Sequence, residues 1–408
     1  MVSAGGSAGG SAVEQRGKPS VAILVLISMV APAGINIIAP SMPAFVSVFD
    51  TDYATVQLTL SLFLFAIACA QIIIGPLSDY FGRRKVVLYG MGLSCFGSVI
   101  CIAAPTIEIF IFGRLIQGAG ACTGIVLARA IVRDLYEREK AASMIGYVTM
   151  AMTIAPLIVP YVGGVLQEEV AWWGSSAFML LFALAVFVIA YFDLHETNPH
   201  LGRVTSAKSL ARDYSELLRS SSFLLYAGVG AFASCIYFCF MGSAPLLSSA
   251  LFGLSPTDYG LLFIFVAAGY GAGNYLSGRF AQIVGTTTMI AGGCLLSVLS
   301  VAAMMALFAM LPPHPLFLFA PMFVASAANG ITLPSAIAGA VSVRPEIAGA
   351  ASGFTGFFQI GSGAVAATFT GFILDQWLSI WPVLIIMMLA TILSLVTALA
   401  IAVKTDDH

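Results

Sequence analysis

Asp79, Arg83, Asp134, Arg114 and Asn36 are the residues of this chain whose types and surroundings could do chemistry. The stretch GPLSDYFGRRK (75–85) sets an acid and a base four residues apart between Gly75 and Gly82. The stretch gathers charge at a membrane boundary, and the plain reading is a turn with anchoring basic residues. Arg114 and Gln117 lie in GRLIQGAGA (113–121), inside an apolar run. A permanent cation there must find acceptors or a wet cavity. Asn36 lies in GINIIAPSMPAF (34–45), before Pro40 and Pro43. Its amide donates and accepts hydrogen bonds but carries no proton. Gln57, Tyr147, Tyr237, Phe238, Asn274, Asn329 and Gln359 are further polar or aromatic groups within apolar runs. Together these residues could line a cavity that recognises a small molecule. The rival reading for each is packing, since an interhelical hydrogen bond in a membrane contributes roughly 0.6 kcal/mol. The seven cysteines show no zinc spacing, and no phosphate loop or nucleophile constellation occurs. The expected chemistry is therefore binding, not catalysis, with no metal and no cofactor.

The elements that must position these groups follow from composition. Of the 408 residues, 60% are hydrophobic and 9% charged, against about 25% charged in soluble domains. Apolar runs long enough to span a bilayer occur near 20–42, 54–75, 86–105, 109–131, 143–166, 175–193, 223–247, 258–281, 286–311, 315–341, 347–374 and 379–403. Lipid leaves the backbone no water, so each run must be a helix. Apart from Arg114 and Arg129, every Lys and Arg falls on one side of this topology. The positive-inside rule makes that side, with both termini, cytoplasmic. The polar connection 194–222 separates a six-helix half at 20–193 from another at 223–403. Residues 1–19 and 404–408 read as tails, the first flexible and glycine-rich from residue 1 to 13. A short echo, LSDYFG at 77–82 and LSGRFA at 276–281, falls at corresponding places in the two halves. Paired halves of this kind suit a transporter with its site at their interface.

The 75–85 stretch resembles the signature loop of the major facilitator superfamily. QLTLSLFLFAIACAQIIIGPLSDYFGRRKVVLYG looks closest to its Bcr/CflA group of drug exporters. GRLIQGAGA, RAIVRDLY (129–136), APLIVPYVGG (155–164) and HET (195–197) support the same group. The resemblance implies an all-α fold of twelve transmembrane helices with pseudo-twofold symmetry. It also implies a cytoplasmic gate of Gly75, Asp79, Gly82, Arg83 and Asp134, and a functional Arg114. Pro156, Pro160, Gly163 and Gly164 resemble a motif of exporters; the residues alone say a kinked, closely packed helix. The sequence departs from the group at Tyr80, where relatives carry Arg, and at Gly278, which makes the latch one-sided. WWGSS (172–176) lacks the usual arginine.

Asn36 is the main departure, because the group carries an acid there. None of the 19 acids and four histidines offers a mid-membrane substitute. The expected function is an alternating-access exporter of drugs or metabolites. Resemblance makes it a proton antiporter; Asn36 argues that coupling is absent or moved to Asp79 and Asp134. An uncoupled facilitator or importer of a neutral or anionic solute remains an alternative, as does a solute receptor without turnover. Expected partners are a small substrate, possible protons and the bilayer, with no nucleic acid. A monomer in the bacterial inner membrane is expected.

Overall fold

The computed structural model describes residues 19–198, 201 and 207–406. The glycine-rich start, the end of the C-terminal tail and part of the 194–222 connection, including His200 and Arg203, lie outside the described residues. The helices are α1 (Val21–Asn36), α2 (Met42–Val48), α3 (Tyr53–Phe81), α4 (Arg83–Ile102), α5 (Ile107–Leu135), α6 (Arg138–Met152), α7 (Ile154–Glu169) and α8 (Gly174–Asp193). They continue with α9 (Ala207–Arg219), α10 (Ser221–Phe252), α11 (Pro256–Val284), α12 (Thr286–Met310), α13 (Leu316–Ser342), α14 (Ala348–Gln376) and α15 (Ile380–Asp406). Twelve helical segments are long and apolar enough to cross a membrane, matching the twelve runs read from the sequence. The first is α1 and α2 joined by a 3-10 turn at Ala39–Ser41.

Helix starts follow local chemistry. Ser20, Asp52 and Ser220 accept hydrogen bonds from the backbone amides of Ile23, Thr55 and Phe223. Ser255 and Asp258 form a reciprocal capping box with Pro256 at the first helical position. Each device satisfies an amide that the helix cannot. The fifth span breaks at Thr153, between α6 and α7. Pro156, with no N–H and a ring that crowds the preceding turn, accounts for the break.

Small residues set how closely the helices meet. Gly97 of α4 lies against the backbone of Gly113 and Gln117, and Gly120 of α5 against that of Gly90 and Ser94. Gly124 of α5 abuts the Ile27 carbonyl of α1. Close backbone approach of this kind drives helix association where lipid removes the hydrophobic effect. The same turn ends α3 and α11. Gly82 (φ 100°, ψ 149°) and Gly285 (φ 89°, ψ 148°) each close one helix and open the next. Only glycine adopts this region freely, so the echo between the halves extends beyond the LSDYFG and LSGRFA letters.

Between the first six and last six spans, α3 packs along α14 and α7 along α11, while the Ala39–Ser41 turn touches α10 and α11. We call the face bearing α9 the linker face and its opposite the far face. Gly124→Val should drive a side chain into the Ile27 carbonyl. A loss of about 1–3 kcal/mol, the usual cost of overpacking, should appear as a lower thermal midpoint of the detergent-solubilised protein. An unchanged midpoint would mean that α1 and α5 do not meet this closely.

Candidate functional site

Arg114 is 2% exposed and meets groups from the first two spans and its own helix. Its Nη2 donates to the Gly34 carbonyl (2.8 Å), Nε to the Thr59 carbonyl (3.3 Å) and Nη1 to Gln117 Oε1. Its guanidinium lies 3.9 Å from the centroid of the Phe63 ring. Gln117 in turn donates to Ser98 Oγ at 2.7 Å, and Ser98 to the Ser94 carbonyl. Gly34 sits in the last turn of α1, where carbonyls lack helical partners and the helix end favours a cation. Arg114 therefore joins α1 and α3 to α5, and through Gln117 to α4. Each guanidinium nitrogen thus meets one of the protein's own oxygens, as the structural reading of this residue expects.

Asn36 is 2% exposed and crosses between the halves. Its Nδ2 donates to the Pro32 carbonyl (2.8 Å), and its Oδ1 accepts from the Tyr237 hydroxyl (3.0 Å) on α10. More contacts of this kind lie toward the far face. Tyr53 donates its hydroxyl to the Gly242 carbonyl (2.9 Å) and its amide to Asp375 (3.2 Å). Thr257 donates its amide (3.0 Å) and hydroxyl (2.8 Å) to Glu168. Gly163 lies against the Ile37 carbonyl and Gly164 against the backbone of Pro256 and Thr257. The APLIVPYVGG glycines thus let α7 close on both α1 and α11. Gln57, fully buried between Gly242 and Gly371, makes no hydrogen bond among the described residues. Phe238 packs on Gly363.

The charge knot sits on the linker face. Arg83 pairs with Asp79 (2.7 Å) and Asp134 (3.0 Å), and also reaches Ser78 Oγ. Ser78 Oγ donates to the Gly75 carbonyl at 2.7 Å. The HET stretch supports this knot. Glu196 accepts the amides of Arg83 (2.8 Å) and Arg84 (3.2 Å) at the start of α4. Arg84 reaches back to the carbonyls of Leu194 and Tyr191, and Asn198 to that of Asp79. The Asp79 side chain stays 38% exposed, and nothing lies within 4 Å of where a Gly75 side chain would be. The charge knot is built within the first half.

The remaining candidates are scattered. Tyr147 is exposed. Asn274 donates to its own helix, at the Tyr270 carbonyl (2.9 Å). Asn329 is buried with Oδ1 unpaired, and Gln359 lies beside Gly230 with Nε2 unpaired, among the described residues. Sequence reasoning missed Tyr53, Glu168, Thr257, Asp375 and Glu196. Two of the acids were visible at span ends, but no sequence pattern names a partner several helices away.

The sequence profile described as Major Facilitator Superfamily matches residues 24–251. The chain belongs to that family; it is a multi-pass membrane transporter and not an enzyme. It is 27% identical over 362 residues to the uncharacterized MFS-type transporter YdgK of Bacillus subtilis, covering 87% of this chain and 90% of the relative. It is 27% identical over 369 residues to multidrug resistance protein D of Escherichia coli, covering 86% and 89%. It is 24% identical over 345 residues to the bicyclomycin resistance protein homolog of Haemophilus influenzae, covering 84% and 86%. The fold matches a crystal structure of a D-xylose–proton symporter with a TM-score of 0.72 at 14% identity, covering 93% and 96% of the two chains.

Tyr237→Phe removes the hydrogen bond to Asn36 without changing the ring. A net loss of about 1 kcal/mol should raise labelling of a cysteine placed behind the far-face seal roughly fivefold. Unchanged labelling would remove this bond from the seal.

Proposed function

We propose that this transporter exports drug-like or metabolite molecules from the bacterial cytoplasm as a monomer in the inner membrane, with both termini cytoplasmic. The linker face is then the cytoplasmic one, in keeping with its arginines and lysines. The observation that carries the reading is the asymmetry of the cross-half contacts. The far face is tied shut by Tyr53, Asn36 and Glu168, whereas α5 and α13 are not among the closely packed helix pairs of the described residues. One closed face and one parted face suit a state of alternating access. The export direction is supported by the α7 glycine and proline motif and by relatives bearing resistance names. The two halves, 20–193 and 223–403, would rock about the α3–α14 and α7–α11 contacts. Asp79 and Asp134, held by Arg83, would form the gate that shuts the cytoplasmic face, with the start of α14 approaching Asp79.

Substrate would meet the inner surface near Tyr237, Phe238, Gln359 and Asn329. Proton coupling does not run through the first span, because Asn36 has no titrating proton. The test is efflux from proteoliposomes with and without an imposed pH gradient. Wild type should move substrate with the same rate in both. Asn36→Asp should gain a gradient dependence: the neutral acid can still donate to Pro32, whereas the carboxylate can only accept from Tyr237. Burial in the apolar bundle sets a further penalty on the charged form. A steep gradient dependence in wild type would overturn this account of coupling. Absence of any flux would overturn the exporter.

A further inference from the structure

Arg129 is the second arginine inside the fourth span, about 9 Å of helical rise short of Leu135. Arg133 lies one turn further on the same face. Like charges at this spacing repel, and among the described residues neither arginine has a carboxylate partner. Asp134, the nearest acid along the chain, is taken by Arg83. Arg129 also makes no hydrogen bond among the described residues, in contrast to Arg114 with its filled fork. Its surroundings show where it points. α1, α3, α4 and α6 cover the other faces of α5. Ile125, Val126, Arg129 and Ala130 form a partly buried strip, with Arg133 exposed at its end. Tyr270 on α11, in the opposite half, lies within electrostatic reach of Arg129. Asn274 stands one turn further along α11, its Nδ2 on the Tyr270 carbonyl. The strip therefore faces the parting between the halves. It offers an unneutralised cation and a phenol near each other, beneath an apolar stretch.

We propose that Arg129, with Tyr270 across the parting, binds the acidic group of an organic anion that enters from the cytoplasm, its apolar body lying along Ile125 and Val126. This rests on the exporter reading above and adds the charge of the cargo. A planar guanidinium suits a carboxylate or sulfonate through paired hydrogen bonds. The proposal also accounts for Asn36. Expelling a cation works against an inside-negative potential and needs a driving ion. Expelling a monovalent anion is favoured by the potential, which supports a gradient of about fiftyfold per 100 mV. An anion exporter needs no titrating acid in its first span.

The test uses pyrene-1-butyrate, its methyl ester and the matching pyrenebutylamine with purified protein in nanodiscs of zwitterionic lipid, so that no anionic headgroup competes. The butyrate should bind about tenfold or more tighter than the ester, as one charge-assisted hydrogen bond supplies. Arg129→Gln should bring that ratio to about one while leaving ester affinity unchanged. Arg129→Lys should keep part of the preference, and Arg133→Gln most of it. Thermal midpoints of the variants show that each is folded. Adding phosphatidylglycerol to the discs reads out a lipid site: loss of butyrate binding at low lipid fractions would assign the arginines to headgroups and overturn the proposal. So would binding of neither probe, preference for the amine, or an unchanged ratio in Arg129→Gln. In proteoliposomes, a potassium diffusion potential should drive butyrate flux. Ester flux without butyrate preference would sink the anion site and leave the exporter standing; no flux of any probe would sink the exporter itself.

Discussion

Arg114 is a permanent cation buried inside the helix bundle, and the packing of the first four spans is arranged around it. Leaving such a charge unpaired in the bilayer costs roughly 2.5–3.5 kcal/mol on insertion scales, and more when it cannot snorkel. The guanidinium must therefore be met by oxygens. Gly34 and Thr59 supply backbone carbonyls, Gln117 a side-chain one, and Phe63 a ring face. Those groups sit on different helices, so the helices must come close. The glycines at 97, 113, 118, 120 and 124 let them. Asn36 lies two residues beyond Gly34, so the fork that fixes the end of α1 also fixes where the amide meets Tyr237.

A second constraint ties the linker to the gate. Glu196 caps α4 from the end of the first half, at the glycine turn whose dihedrals recur at Gly285. At Gly285 nothing lies within 4 Å of a would-be side chain. The two halves thus share a backbone turn and differ in what holds it. Helix α9 adds a further tie. Leu217 is buried with Phe223, Ala351 and Phe354, and Tyr214 donates to the Ile72 carbonyl of α3 at 3.4 Å. The linker therefore touches both halves along the α3–α14 edge.

Much of the fold was legible in the sequence because bilayer physics is one-dimensional. Span number follows from run length. The break in the fifth span could be expected from Pro156, though its location at Thr153 could not. The pair Asp79–Arg83 was readable through the resemblance of the 75–85 loop, and the structure joins the two across the Gly82 turn between α3 and α4. Asp134 was placed with them through resemblance, and the structure shows Arg83 bridging both acids. The far-face seal was not readable. Tyr53, Glu168 and Asp375 gain their meaning only from helices distant along the chain, and nothing in their local sequence separates them from ordinary span ends. Arg114 was legible as an anomaly, but the choice between cavity and carbonyls needed the positions of Gly34 and Thr59. Nothing in the structure explains the missing arginine in WWGSS.

The far-face seal also shows how a closed state can remain openable. Its bonds are between neutral groups, at about 1 kcal/mol net each, or between a carboxylate and neutral donors, at about 1.5–3 kcal/mol each. Gln57 works against them: buried between Gly242 and Gly371, it has neither amide atom paired among the described residues. An unpaired buried amide costs about 1–3 kcal/mol. The Gln57 penalty therefore offsets part of what these bonds supply and makes the closed arrangement shallower than the bonds alone would. A leucine at Gln57 would remove the penalty and bias the protein toward the closed far face. The amide is better understood as a group that lowers the barrier to opening than as one that holds the helices together.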